Sequence, residues 1–234
     1  MCGRYYVDKD TFEEACRLAG CSGFAGGDGF VGGDGFSGCG SFTASDGGTA
    51  GDIVPSGTAW VLRGDQGYPG AEPRYPGTEP EPCRPGTGPC IRAERMAWGF
   101  PRFDGKGLII NARAESVRER PAFRDSVEQR RCVIFARGFY EWNRSREKFT
   151  YEREDAPVLF MAGCFSRWED GGHFVIITTA ANPSVAPVHD RMPLILEPEE
   201  VKQWIQDAGA AWSLLKKTPV LLAGGTEYEQ LRLF

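Results

Sequence analysis

The sequence predicts an α+β fold: one domain, residues 1–234, with a strand-rich, mainly antiparallel sheet and a few flanking helices. Three observations predict it. Many short strand-like runs follow one another without the helix-by-helix alternation that a parallel βαβ sheet requires. Only a few segments carry helical periodicity. Two irregular stretches, at about 22–51 and 66–89, interrupt the pattern as loop insertions rather than as linkers between domains. With 234 residues, 41% hydrophobic and 12% aromatic, the chain can bury one such core.

The elements follow in order. Arg4 to Val7 reads as a strand. In DKDTFEEACRLAG, Thr11 and Glu14 have capping-box spacing, Phe12, Ala15, Cys16 and Ala19 share one helical face, and Gly20 ends the helix. GFAGGDGFVGGDGFSGCG then repeats a hexad almost three times. Glycine at this density costs too much backbone entropy for a packed core, and neither phosphate-loop pattern is present, so the stretch reads as an insertion. GDIVPSGTAWVLRG gives a turn and a short strand, and Gln66 to Pro89, rich in Pro, Gly and Glu, is a surface excursion. Strands resume at IRAERMAW and GLIINAR and, after a charged helical stretch, at CVIFARGFYEW, KFTYER, PVLFMAGCF and HFVIITT. In PEEVKQWIQD, Pro198 starts a helix whose buried face holds Val201, Trp204 and Ile205.

Bulk properties narrow the function. No apolar stretch is long enough to cross a membrane and the start lacks a secretory pattern, so an intracellular, cytoplasmic protein is expected, with no membrane partner. The net charge of −5 argues against a protein that coats duplex DNA. Its distribution is uneven: Arg92 to Lys148 holds 14 Lys+Arg against 8 Asp+Glu, leaving −11 for the remainder. Such a basic segment is either an anion-binding face or a solvated, salt-bridged surface. The 8 cysteines show no C-x-x-C, and with 2 histidines they predict no metal site and no cofactor. Cys132 and Cys164, inside apolar runs, read as small core fillers. Nothing in the sequence demands more than a monomer.

Four polar stretches beside strands could carry chemistry: MAWGFP (96–101), NARAES (111–116), GFYEW (138–142) and HDRMP (189–193). Strand alternation puts Glu141 on the face opposite Tyr140 and Trp142, where an apolar surround raises a carboxyl pKa and suits it to proton transfer. The alternative is a strand-end Glu in water or paired with an Arg. His189 precedes Asp-Arg and is an acid–base candidate, whereas His173, after Gly-Gly, reads as a turn residue. Asn111 is a candidate amide or a satisfied turn residue. Trp98 is a core residue or a platform on which a base stacks. Cys2 differs from the other cysteines because removal of Met1 would leave it a free α-amine beside its thiol.

MCGRY, M-x-W-G-F-P, NARAES, RRC…GFYEW and HDRMP, in this order and spacing, closely resemble the SRAP family, the SOS-response-associated proteins that process abasic sites in single-stranded DNA. The resemblance runs from Met1 to about Glu197, interrupted by the two excursions. It implies a strand-rich, barrel-like α+β core with a positively charged channel for single-stranded DNA. It implies that Cys2 carries covalent chemistry and that Asn111, Glu141 and His189 occupy active-site positions. Arg4, Arg113 and Arg191 fall on or near phosphate-holding positions, and Trp98 lies on the DNA-facing strand. The expected partner is single-stranded DNA bearing an abasic site, close to the nucleoid if the protein is bacterial. The sequence departs from the family pattern in the hexads, at Phe100 where Leu is commoner, and at Ile53-Val54-Pro55-Ser56, where members usually carry an Asn-x-x-Pro-Thr-like turn. Pro55 is expected to wedge against DNA.

The implied chemistry uses both groups of Cys2. The α-amine, with a reference pKa of about 7.7–8.0, condenses with the open-chain aldehyde of an abasic site, and the thiol adds to the imine to close a thiazolidine. Two readings with other chemistry remain: a thiol peptidase acting through Cys2, on its own N-terminus among other targets, and a glutamine amidohydrolase with an N-terminal nucleophile. The second lacks the Arg-Gly-Pro-Asp-like stretch of such enzymes. A non-catalytic single-strand binding module is a further alternative.

Overall fold

A computed structural model of the chain describes residues 2–19, 21–25, 51–64 and 91–226. Its elements run β1 (Tyr5–Val7), α1 (Lys9–Ala19), β2 (Cys21–Ala25), β3 (Gly51–Ile53), β4 (Thr58–Gly64) and β5 (Ile91–Trp98). They continue with β6 (Phe100–Pro101), β7 (Leu108–Ile109), β8 (Asn111–Arg113), α2 (Arg124–Gln129), β9 (Arg131–Ala136) and β10 (Gly138–Trp142). Then come β11 (Lys148–Glu152), β12 (Leu159–Trp168), β13 (Gly171–Ala180), β14 (Arg191–Pro193) and β15 (Ile195–Leu196). The last are α3 (Pro198–Gln206), α4 (Ala208–Leu214) and β16 (Ala223–Gly225). The fold is α+β and strand-rich, as the sequence predicts.

Its centre is a closed barrel. Strands β13, β12, β9, β4 and β5 pair antiparallel in that order, and β5 returns to β13 through a short parallel pairing, His173↔Ala97 and Phe174↔Trp98. Closure leaves no edge within the ring, and a barrel this small is filled by side chains. Val61, Ile134, Met161, Phe174 and Ile176 are accordingly buried completely. Strands β2, β8, β14 and β15 extend this sheet from the barrel. A second sheet, ordered β16-β11-β10-β1-β3, is antiparallel throughout. One of its faces carries Tyr5, Phe139 and Tyr151 into the core, while Tyr6, Tyr140 and Trp142 stay half-buried on the other.

Close approach of strands makes one motif glycine necessary. A Cβ at Gly138 would lie 2.6 Å from the Tyr151 carbonyl oxygen and 2.7 Å from the Tyr6 hydroxyl, so β1 and β11 could not both pair with β10. Gly138→Ala is expected to cost about 2 kcal/mol, read as a lower urea midpoint.

The helices cover the barrel. Helix α1 begins earlier than the Thr11–Glu14 spacing predicts, because Asp8 caps it: the Thr11 N–H donates to Asp8 Oδ1 at 2.8 Å. Phe12, Ala15 and Cys16 of the predicted face are buried, and Phe12 packs edge-on against Trp60 and Phe135. Helix α3 starts at Pro198 as expected, and its Trp204 indole donates to the Cys132 and Gly163 carbonyls. The neighbouring Cys132 and Cys164 are wholly buried fillers. Arg131 at the start of β9 is buried and ties two helix ends together. Its guanidinium donates to Val127 and Glu128 carbonyls of α2 and to Trp204 and Ile205 carbonyls of α3. These last-turn carbonyls have no partner within their helices and carry the negative end of the helix dipole. Arg131→Ala is expected to cost about 3 kcal/mol, measured by urea unfolding.

Some expectations need adjustment. Residues 26–50 and 65–90, most of the two expected insertions, lie outside the described residues, as does Gly20. Cys21–Ala25, however, is a strand that pairs parallel with β5, although most of it falls in the stretch read as loop, and Gly51–Ile53, read as part of the turn that follows, is a strand on β1. Helix α4 and strand β16 are additional to the sequence reading. His173 is not a turn residue. It lies buried in β13 at the barrel closure, with Nδ1 2.8 Å from the Gly99 carbonyl and Nε2 3.0 Å from Asp170.

Candidate functional site

Four of the residues singled out from the sequence meet where the second sheet abuts the barrel. Each arrives on a different segment: Cys2 just before β1, Asn111 at the start of β8, Glu141 in β10, and His189 in the turn before β14. The direct link is a hydrogen bond from Asn111 Nδ2 to the Cys2 carbonyl at 2.9 Å, across 109 residues of sequence. The other oxygen of the same amide, Asn111 Oδ1, is buried and has no hydrogen-bond partner among the described residues.

Glu141 is 2% exposed, while its neighbours Tyr140 and Trp142 are half-buried, so the predicted alternation holds. Burial raises its carboxyl above the ordinary value, and the positive amino terminus and His189 pull it back. The Cys2 side chain is completely buried, and its Sγ lies 3.7 Å from the Arg4 carbonyl. Burial pushes this thiol far up, and the Glu141 carboxylate pushes it the same way. These mutual effects tie Glu141 to both Cys2 and His189.

His189 Nδ1 accepts the Arg191 backbone N–H at 2.9 Å, which leaves the ring proton of the neutral imidazole on Nε2. The same Nδ1 is 3.1 Å from Asp190 Oδ1. That contact is an ion pair only when the imidazole is protonated.

The basic residues differ in how firmly they are held. Arg4 is 41% exposed, pairs with Asp52 at 3.5 Å, and its guanidinium lies 5.7 Å from the Trp142 ring centroid. An exposed pair of this length is weak and leaves the guanidinium free to meet an anion. Arg113 is exposed at the end of β8. Arg191 is 11% exposed and donates to Glu115 through both terminal nitrogens, at 2.7 and 2.9 Å, and to the Thr178 carbonyl at 2.7 Å. Pro55 is half-buried in a turn closed by Gly57 N–H to the Val54 carbonyl at 3.0 Å, with Ser56 at φ +69°. A positive φ at the third turn position favours Gly or Asn, so Ser56 sits under backbone strain. The backbone of Trp98 pins this turn through Ser56 N–H to its carbonyl and its own N–H to Gly57.

Trp98 itself is a correction. The reading as a platform for base stacking fails because the side chain is completely buried. Tyr5 and Phe174 pack against its ring, and its indole N–H donates to the Ile110 carbonyl at 3.0 Å, next to Asn111. It is core, and it fixes the strand that carries the site. Two residues the sequence reading passed over belong with the site: Asp52, which accepts from the Tyr140 hydroxyl and pairs weakly with Arg4, and Glu115, which holds Arg191. Glu115 stood inside the quoted NARAES stretch, but nothing in one dimension paired it with residue 191.

Among the described residues no three His, Cys, Asp or Glu side chains gather to hold a metal ion, and no helix is long and apolar enough to cross a membrane.

Known proteins resemble this chain in sequence and in fold. The chain is 32% identical over 149 residues to the abasic site processing protein YedK of Escherichia coli, a match covering 55% of this chain and 67% of that one. It is 36% identical over 106 residues to the abasic site processing protein YoaM of Bacillus subtilis, covering 42% of this chain and 47% of the relative, so the match spans about half of that protein. A phage-related protein of Bordetella bronchiseptica, solved by X-ray crystallography, shares the fold with a TM-score of 0.65 at 18% identity, covering 96% of this chain and 93% of that one. Residues 1–224 match the family described as SOS response associated peptidase, SRAP. With nearly its whole length matched, the chain belongs to the SRAP family.

Proposed function

We propose that the chain processes abasic sites in single-stranded DNA by capturing them covalently through Cys2 once Met1 is removed. The observation that carries this reading is the Asn111–Cys2 hydrogen bond, which holds the chain's second residue near the buried Glu141 carboxyl, itself within electrostatic reach of His189. The relatives' designation as abasic site processing proteins supports the substrate.

The chemistry runs as follows. The Cys2 α-amine attacks the aldehyde carbon of the open-chain abasic sugar, a C–N bond forms, and water leaves to give an imine. The Cys2 sulfur then bonds to the imine carbon while its proton passes to nitrogen, which closes a five-membered thiazolidine. Ring closure within one residue gains an effective molarity of roughly 10⁵ M or more. Glu141, with its raised carboxyl, exchanges protons with the amine and the departing water. His189 presents Nε2–H to the sugar oxygen, during ring opening or in the reverse reaction that frees the DNA. Asn111 fixes the Cys2 backbone so that the amine and thiol face one carbon. Arg4, Arg113 and Arg191 take flanking phosphates, and the Pro55 turn abuts the strand.

The raised thiol favours this order over the peptidase and amidohydrolase readings. Those reactions begin with a thiolate, and burial and the Glu141 carboxylate both disfavour that form of Cys2. An amine that attacks first needs none.

The test mixes protein, with Met1 loss verified by intact mass, with single-stranded DNA bearing one abasic site. After heating without borohydride, a denaturing gel is expected to hold a shifted band. Its absence overturns the reading and leaves a binding module or an amide hydrolase.

A further inference from the structure

The Arg191–Glu115 ion pair does more than occupy an arginine. Strand β8 pairs parallel with β13 through Ile176↔Asn111 to Thr178↔Arg113, and β14 pairs antiparallel with β13 through Thr178↔Pro193 to Ala180↔Arg191. The segments carrying Asn111 and His189 are thus separate in sequence and have β13 as a common neighbour. The Arg191 side chain reaches across that strand. It donates to the Thr178 carbonyl on the way and ends in the two-pronged contact with Glu115, just beyond β8. The Ala114 N–H donates to the same Thr178 carbonyl at 2.9 Å, so both segments converge on one atom of β13.

Two further observations indicate that the geometry is imposed by the partner. Arg191 Nε is buried with no hydrogen-bond partner among the described residues, so the guanidinium sits where Glu115 holds it and not where its own donors would all be met. The Glu115 carboxyl is held below its ordinary range chiefly by the hydrogen bonds from Arg191, so it remains ionised at neutral pH and the contact persists. The consequence runs through the backbone of the same arginine. Its N–H is the donor to His189 Nδ1, and that bond fixes which ring nitrogen carries the proton.

We propose that Glu115 is a positioning residue: by clamping Arg191 it keeps the Asn111 and His189 segments in register and presents His189 with its proton on Nε2. Its effect on the reaction rests on the function proposed above, whereas its effect on His189 does not.

The experiment uses the full chain as Glu115→Ala, Glu115→Gln and Glu115→Asp, each verified as folded by thermal melting. The first readout is ¹⁵N–¹H correlation of the imidazole rings, with His189→Asn assigning the two histidines. Wild type is expected to show His189 as a single Nε2–H tautomer, and Glu115→Ala a mixture. The second readout separates binding from reaction, with a non-reactive tetrahydrofuran-site oligonucleotide for Kd and an abasic-site oligonucleotide at saturation for rate. Glu115→Ala and Glu115→Gln are expected to react roughly 10- to 100-fold more slowly with Kd changed less than about threefold, and Glu115→Asp to recover part of the rate. An unchanged His189 tautomer overturns the proposal. Tighter binding at an unchanged rate overturns it too, and makes Glu115 a competitor of phosphate for Arg191. If wild type forms no adduct, the functional reading fails, and the tautomer experiment still decides the positioning role.

Discussion

Cys2→Ala is expected to abolish the heat-stable adduct, while Cys2→Ser and Cys2→Ala are both expected to retain a species that only borohydride makes permanent. This is the largest effect expected from any single substitution. Each variant keeps an α-amine at the second position once Met1 is removed, so each can still condense with the aldehyde. Neither has a thiol to add to the imine, and an imine hydrolyses on heating where a thiazolidine survives. Loss of the intramolecular step lowers the yield of heat-stable product by at least about 100-fold. The measurement is a denaturing gel of paired samples, heated with and without prior borohydride. A heat-stable band of normal intensity from Cys2→Ala removes Cys2 from the chemistry. Loss of the borohydride-trapped band as well assigns the first attack to sulfur and reopens the thiol-nucleophile readings. Weakening with salt is expected at the binding step, because Arg4 and Arg113 are exposed cations.

Glu141→Gln has the second largest effect and a signature in pH. Removal of a general acid–base group costs roughly 100-fold or more in rate. The wild-type rate is expected to rise with pH through the raised carboxyl value, above the ordinary Glu pKa of about 4.3, and the variant to lack that limb. Stability moves the opposite way. Between the unfolded and the raised native values the native state binds more protons, so wild type loses stability as pH rises through that window. Gln has no charge to bury. Glu141→Gln is therefore expected to gain on wild type from pH 4 upwards and to hold that advantage at pH 7.5, read from urea unfolding at both values. Equal rates would remove Glu141 from proton transfer. Equal stabilities at both values would mean that the site fully compensates the buried charge.

Several features of this site were legible in one dimension. The alternation of GFYEW assigned Glu141 to the buried face because side chains along a strand point to opposite sides, whatever the strand pairs with. The faces of α1 and α3 followed from helical period in the same way, and Pro198 marked a start because its missing N–H costs nothing there. Other features were not. Trp98 had two possible fates, and only the closure of β5 onto β13 determined that Tyr5 and Phe174 would enclose it. Asp8 outcompeted Thr11 as the cap because side-chain geometry, not spacing, selects which oxygen reaches the free N–H. Glu115 lay unnoticed beside Arg113, because its partner is 76 residues away.

The sequence by itself determined the α+β class, the strands that bear the site, and the chemical capacity of an aminothiol at position 2. All of these rest on local periodicity or on the covalent nature of one residue. The tertiary structure alone decided that Asn111 holds Cys2, that Glu141 is buried within electrostatic reach of His189, and that Arg191 pairs with Glu115. Those are contacts between segments up to 109 residues apart. Barrel closure brings them together by burying apolar surface that belongs to no single motif.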